Sequence, residues 1–398
     1  MKDSVMKISP RITIILMILI IIPLDSCADK PIVSDKIPWN LSLLNKAPTM
    51  KWLVHEGPLY SLEYQGLSYR GKETKVFAYY ATPGSISGQP GLDKDLPGII
   101  LLHAGGAHAN PLWIRLWARM GYAALSMDLS GCGPDLKSLP NAVSTDNLLS
   151  YDWNYHAVAN VILAHSLLLS FKEVNADRTA VTGISVGGQL TDIVAGLDKR
   201  FKVASSVYGC GYLYENSLFS ERLSYMEKAE RDKWVKAFDP SSYLGKVTIP
   251  IMFATGANDP YYPLDSYVKS YKLVKGPRNF CIVPGIPHVD VVGMNVIAPI
   301  LFIDQFCRNG IPLPFIERPE VVNGKVQAKI QCKTKPVKTS LYYTTDTCAY
   351  KDRTWSSIDA AIVGSTITSP EPPGNTTAWL VTLSDERNAT VSSEVVFK

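Results

Sequence analysis

The 398-residue sequence has no Cys-x-x-Cys pair and only six histidines. His103 and His108 lack a third ligand nearby, so no zinc centre is expected, and no metal or other cofactor is called for. Its seven cysteines lack the regular spacing of a disulfide-stapled scaffold. Cys132, Cys210, Cys281, Cys307, Cys332 and Cys348 read as buried free thiols, with a local Cys332–Cys348 bridge as the alternative. Charge is also sparse, at 19% of residues and +4 net. Residues 1–26 carry three basic and two acidic side chains, so the remainder carries +3. A surplus this small and evenly spread excludes a nucleic-acid partner. The apolar run from Ile12 to Ile22 is eleven residues long, short of the roughly 20 that a spanning helix needs.

What is present begins at that run. Lys2, Lys7 and Arg11 precede it and "PLDSC" closes it at Cys27, the layout of an export signal. The Leu-x-Ser-Cys ending resembles a bacterial lipobox. It implies that Cys27 becomes the lipidated first residue of a protein tethered in the cell envelope, facing the periplasm or the cell surface; a plainly cleaved signal is the alternative. The chain is then expected to divide into residues 1–27 (signal and lipobox), 28–59 (an N-terminal extension), 60–312 (the main domain) and 316–398 (a second domain).

From about residue 60, two exposed-looking strands, "SLEYQGLSYRG" and "KVFAYYATP", precede an alternation of strands and helices. The strands are "PGIILLHA", "YAALSMDLS", "TAVTGIS", "VASSVYG", "IPIMFATG" and "NFCIVPG". Such alternation implies a mostly parallel, doubly wound sheet covered on both faces. In the helix before "TAVTGIS", Val158, Val161, Ile162, His165, Leu168 and Leu169 form one apolar stripe. His165 on that stripe reads as a core histidine with a local partner. An insertion carrying Tyr212, Tyr214 and Trp234 sits where it would either overhang the strand C-termini or form a surface helix pair. Beyond "IPLPFIERPE" the alternation stops. Val326, Ala328, Ile330 and Cys332 alternate with polar residues, and so do Trp379, Val381 and Leu383, the pattern of half-buried strands in a small all-β sandwich.

The stretch Gly183-Ile184-Ser185-Val186-Gly187 joins a strand to a helix-like segment. That context lifts a serine hydroxyl above the sheet edge, with small residues where the two backbones nearly touch. The helix N-terminus favours negative charge at the same spot. A serine needs a general base, and histidine titrates close to working pH. His288, in the Gly/Pro loop "VPGIPHVD" after the last sheet strand, is the base candidate. Asp259 in "FATGANDPYYP" ends the preceding strand and is the acid that would hold the imidazole tautomer; Asp128 is the runner-up. The oxyanion hole would use the N–H of Val186 and one from "HAGGAHAN", of Ala104 or Gly105. Tyr261 and Tyr262 follow the acid and would offer flat faces to a sugar ring or pack beneath the loop.

The segments "LLHAGG", "DLSGCG", "GISVGG", "GLDKRFKVASSVYGCGYL", "GANDPYYPLDSYVKSYKL" and "PGIPH" resemble the α/β-hydrolase superfamily over residues 60–308. Within it the chain is similar to the acetyl-xylan-esterase-like and prolyl-oligopeptidase-like hydrolases of exported bacterial polysaccharide-degrading systems. The resemblance implies an α/β-hydrolase fold with Ser185, Asp259 and His288 as nucleophile, acid and base, and a C-terminal immunoglobulin-like or fibronectin-like appendage. Val186 stands where the deacetylase branch usually has glutamine. The expected activity is ester hydrolysis through an acyl-enzyme, removing acetyl or other small acyl groups from a polysaccharide or oligosaccharide. The alternatives are a serine peptidase of the oligopeptidase kind, without a propeller-like gating domain, and an inactive carbohydrate-binding lipoprotein.

Overall fold

A computed structural model describes residues 37–130 and 152–398. The signal segment, Cys27 and Cys132 lie outside them, as does the second half of "DLSGCG". The main sheet opens with β1 (Met50–Val54), β2 (Tyr60–Gln65) and β3 (Lys75–Ala81). It continues through β4 (Leu96–Leu102), β5 (Ala123–Met127), β6 (Val174–Ile184), β7 (Val203–Val207), β8 (Ile251–Gly256) and β9 (Arg278–Val283). Their spatial order is β1-β2-β3-β5-β4-β6-β7-β8-β9. β1, β2, β3 and β5 pair antiparallel, and β5-β4-β6-β7-β8-β9 pair parallel.

The central strands are short apolar runs because both of their faces are covered. Ile100 and Leu102 enter the core on one side of the sheet, while Ile99 and Leu101 enter the core on the other, as the two-residue period requires. Helices fill both layers. The helix Trp153–Leu168 is buried on nearly its whole circumference, not along the single stripe expected. The reason is an outer cover: Trp39 Nε1 donates to the Tyr155 carbonyl at 2.8 Å, and Ser166 Oγ donates to the Leu44 carbonyl at 2.6 Å.

That cover corrects two expectations about the N-terminal part. Within the described residues, 37–59 form no separate extension, since β1 is an edge strand of the main sheet and Trp39 and Leu44 belong to its core. β2 and β3 are mostly buried, not exposed, with Leu62, Tyr64, Val76 and Ala78 at 1% exposure or less.

The C-terminal strands are β10 (Phe315–Ile316), β11 (Glu320–Val322), β12 (Lys325–Gln331), β13 (Pro336–Thr344) and β14 (Ser356–Asp359). They continue with β15 (Ala361–Val363), β16 (Thr366–Pro370), β17 (Ala378–Asp385), β18 (Thr390–Ser392) and β19 (Val396–Phe397). They make two layers. One is β10-β12-β16-β15, with β11 on β12. The other, β18-β17-β13-β14 with β19 on β17, extends the main sheet because Ser392 of β18 pairs with Phe280 of β9. Val326, Ala328 and Ile367 share a core with Leu341, Trp379, Val381 and Leu383 across the layers.

The boundary expected at 312–316 is therefore crossed by a continuous sheet. β12 is half-buried as its alternation indicates, whereas β17 is buried on both faces. Ala378 and Leu380 enter the main core from the side opposite Trp379 and Val381. Cys332 and Cys348 are both free thiols, so the local bridge does not form. Among the described residues, no helix is long and apolar enough to cross a membrane, and no cluster of potential metal ligands forms.

Candidate active site

β6 ends at Ile184 and the next helix starts at Val186, so Ser185 alone makes the turn, at φ 58° and ψ −117°. A non-glycine residue held there stores about 1–3 kcal/mol of strain. Two hydrogen bonds hold it: Ser185 N–H donates to the Val207 carbonyl at 2.8 Å, and Gln189 N–H donates to the Ser185 carbonyl at 2.9 Å. Glycine on either side is a packing requirement. A Cβ on Gly183 would lie 2.2 Å from the Gly187 carbonyl oxygen, and one on Gly188 would lie 2.5 Å from that of Val207. Ser185 itself is 8% exposed.

Asp259, three residues past β8, is buried. Its Oδ2 accepts from His288 Nδ1 at 2.7 Å and from Thr255 Oγ1 at 3.2 Å. Its Oδ1 accepts the N–H groups of Tyr261 and Tyr262, each at 2.9 Å. A carboxylate so surrounded fixes an imidazole by leaving it one free ring nitrogen, Nε2.

Tyrosine rings hold the imidazole in place. Tyr208 lies 4.6 Å from it, centroid to centroid, and its hydroxyl donates to the Pro287 carbonyl at 2.9 Å. Tyr261 meets it edge-on at 4.8 Å, and Tyr262 lies parallel to it at 6.0 Å. Tyr262 is fully buried, and its hydroxyl donates to Gln189 Oε1 at 3.3 Å. Burial pushes its phenol well above the usual tyrosine range. Tyr262 thus lies beside the imidazole and is tied to Gln189, one turn along the helix that Ser185 opens.

The two adjacent tyrosines part company here. Tyr261 is 46% exposed beside the His288 ring. Tyr262 offers no face to a sugar, which corrects its expected binding role; it lies beneath the site because the Asp259 turn sends neighbouring side chains to opposite sides.

The loop after β4 closes the other wall. A Cβ on Gly105 would lie 2.9 Å from Val186 Cγ2, so this loop rests against the first helical residue, whose N–H is one of the four that a helix leaves unpaired. His103 braces it: Nδ1 is 2.7 Å from the Ala104 carbonyl, and Nε2 accepts from Leu129 N–H at 3.0 Å. That pairing requires the neutral, Nδ1-protonated ring, and burial lowers its pKa in the same sense.

Asp128, the runner-up acid, is occupied elsewhere. It accepts from Ala109 N–H at 2.6 Å and lies 3.4 Å from His108. His165 is a core residue, with Nδ1 2.8 Å from Asp198, Nε2 3.0 Å from Thr179 and its ring stacked on Phe201 at 3.7 Å. The insertion does reach the site: Leu218 N–H donates to the Tyr261 carbonyl at 2.9 Å. Tyr208, Thr255 and Gln189 were not singled out in the sequence. The one signal was their position, at strand ends or one helical turn past Ser185.

Asp192 lies on the helix that Ser185 opens and is fully buried. Burial, with the nearby Asp239 carboxylate, pushes its pKa well above the usual 3.8. The folded chain keeps a proton that the unfolded chain has lost. The stability this group contributes is therefore full below about 3.8 and is lost as pH rises through the folded value. Asp192→Asn should melt above the parent, with a gap that widens as pH rises above about 3.8, by up to about 1.4 kcal/mol per unit, until the folded value is passed. Melting curves at several pH values check this; a gap constant with pH would contradict it.

Residues 114–279 match the profile of the prolyl oligopeptidase family. The acetyl esterase Axe7A of Xylanibacter ruminicola is 23% identical over 196 residues, which is 44% of this chain and 45% of that protein. The chain thus spans less than half the length of this curated relative. The acetyl xylan esterase from Paenibacillus sp. R4 superposes with a TM-score of 0.56 at 22% identity, over 67% of this chain and 92% of that one. Acetyl xylan esterase 1 from Thermoanaerobacterium sp. JW/SL YS485 gives 0.49 at 16% identity, over 64% and 90%. The superposition on the Paenibacillus enzyme shows an α/β-hydrolase fold with a large mixed sheet.

Proposed function

We propose that this chain is a serine ester hydrolase that removes small acyl groups, acetyl foremost, from a polysaccharide or oligosaccharide. The observation that carries the reading is the 2.7 Å Asp259–His288 hydrogen bond, together with the turn of Ser185 at positive φ between β6 and its helix. In this reading His288 Nε2 takes the Ser185 proton as Oγ bonds to the ester carbonyl carbon. The Val186 N–H and that of Ala104 or Gly105 meet the oxyanion, and such donors contribute about 3 kcal/mol each. Collapse breaks the bond to the sugar oxygen, which leaves with the proton from the imidazolium. Water, deprotonated by the same imidazole, then releases the acid and restores Ser185.

An acylated carbohydrate as substrate is supported by the names of the similar esterases and by the exposed Tyr261 ring beside His288. An envelope location with a lipid on Cys27 rests on "PLDSC" and the apolar run before it. The two-layered C-terminal strands are read as an immunoglobulin-like appendage. Turnover of p-nitrophenyl acetate and acetate release from acetylated xylan test the activity, and absence of both would defeat it. The family profile favours a second reading, a serine peptidase; aminoacyl amides cleaved faster than esters would establish it.

Tyr261→Ala should raise KM for acetylated xylo-oligosaccharides by about tenfold, the equivalent of ~1.4 kcal/mol of ring contact. KM for p-nitrophenyl acetate should change far less. Equal KM changes on both substrates would remove Tyr261 from sugar binding.

A further inference from the structure

We infer that the C-terminal strands position the acid of the site, and that Asn258 is the residue through which they do so. The inference rests on the reading of Asp259 given above. Asn258 precedes Asp259, and its Nδ2 donates to two carbonyls of the C-terminal part, Arg353 at 2.6 Å and Tyr350 at 3.3 Å. Two carbonyls can only accept, so the amide must present its N–H₂ to them. Both acceptors sit in the turn between β13 and β14, and Arg353 stiffens it. Its guanidinium lies 3.9 Å over the Tyr350 ring, its Nε donates to the Cys348 carbonyl at 2.9 Å, and its Nη1 donates to Thr377 Oγ1 at 3.4 Å.

The turn is itself anchored. The Tyr350 ring lies 5.7 Å from that of Phe397 on β19, and Thr354 N–H donates to Asp346 at 2.7 Å. Farther along the junction, Arg278 of β9 meets Glu394 at 2.8 Å, and Val395 N–H donates to the Tyr271 hydroxyl at 3.1 Å. The acid loop is thus tied on one side to the His288 ring and on the other to a braced turn from another part of the chain. Displacing a catalytic group by about 1 Å costs about 100-fold in rate, so a tie one residue from the acid bears on chemistry more than on substrate binding.

The test uses the full chain with p-nitrophenyl acetate and three variants: Asn258→Ala, Arg353→Ala and the double variant. Each single variant should lower kcat by about 10- to 100-fold with KM nearly unchanged. Each should also move the acid limb of the pH profile downward, because a displaced carboxylate stabilises the imidazolium less. The double variant should cost little more than either single one, since Asn258→Ala removes the tie and Arg353→Ala loosens the turn that holds its far end. Arg353 lies in the β13–β14 turn, outside the site, so its variant carries the test even where Asn258→Ala folds poorly. Unchanged kcat and pH limb in Arg353→Ala, or effects confined to KM or to melting temperature, would overturn the inference while leaving Ser185-dependent turnover intact. Wild-type turnover that survives Ser185→Ala would overturn the underlying reading, and this inference with it.

Discussion

Ser185→Ala should lower kcat on p-nitrophenyl acetate on the order of 10⁶-fold, and His288→Ala should do about the same. Combining the two should cost almost nothing further, because nucleophile and base act as one unit. Asp259→Asn should cost about 10⁴-fold. Its carboxylate accepts four hydrogen bonds, from His288, Thr255, Tyr261 and Tyr262. An amide there would offer a donor where the imidazole also presents one, and would favour the wrong ring tautomer. Initial rates on the four purified variants, each checked by its melting curve, decide the matter. Independent, additive losses would mean that the three side chains do not cooperate.

Gly187→Ala should have the largest effect on stability. A Cβ there would stand 2.3 Å from the Leu102 carbonyl oxygen and 2.7 Å from that of His103. Both are backbone atoms, at or just past the end of β4, and cannot swing aside as a flexible side chain can. The helix must retreat from the sheet and take Ser185 with it. A loss of about 3–5 kcal/mol is expected, a large share of the 5–15 kcal/mol that a folded domain has. Gly91→Ala is the control, since nothing lies within 4 Å of a Cβ there; it should shift stability by less than about 0.5 kcal/mol. Urea unfolding of the two variants gives the comparison. A Gly187→Ala chain as stable as its parent would show that helix and strand are not in contact at the turn.

How far the sequence could be read depended on whether the cause was local. The Ser185 turn was visible because strand, glycines and helix are contiguous. Asp259 and His288 could be paired because a parallel sheet brings successive strand ends to one edge, and they meet at 2.7 Å. Burial imposed by distant segments was not visible. The helix Trp153–Leu168 looked one-sided because nothing in its own residues announces that Trp39 and Leu44 will cover its back. β17 looked half-buried because its second face is covered only once the C-terminal layer has joined β9. Tyr261 and Tyr262 are alike in sequence, and only the turn at Asp259 decides which reaches solvent. Tyr208 held no motif at all. Its position beside His288 follows from a positive φ of 60° just past β7.

The most direct test of the account is covalent labelling of the folded chain with a fluorophosphonate, the modified residue being located by mass spectrometry. Label should fall on Ser185 and disappear with unfolding, and His288→Ala should slow its attachment by orders of magnitude. Label on another residue, or attachment to Ser185 at the parent rate without His288, would contradict it.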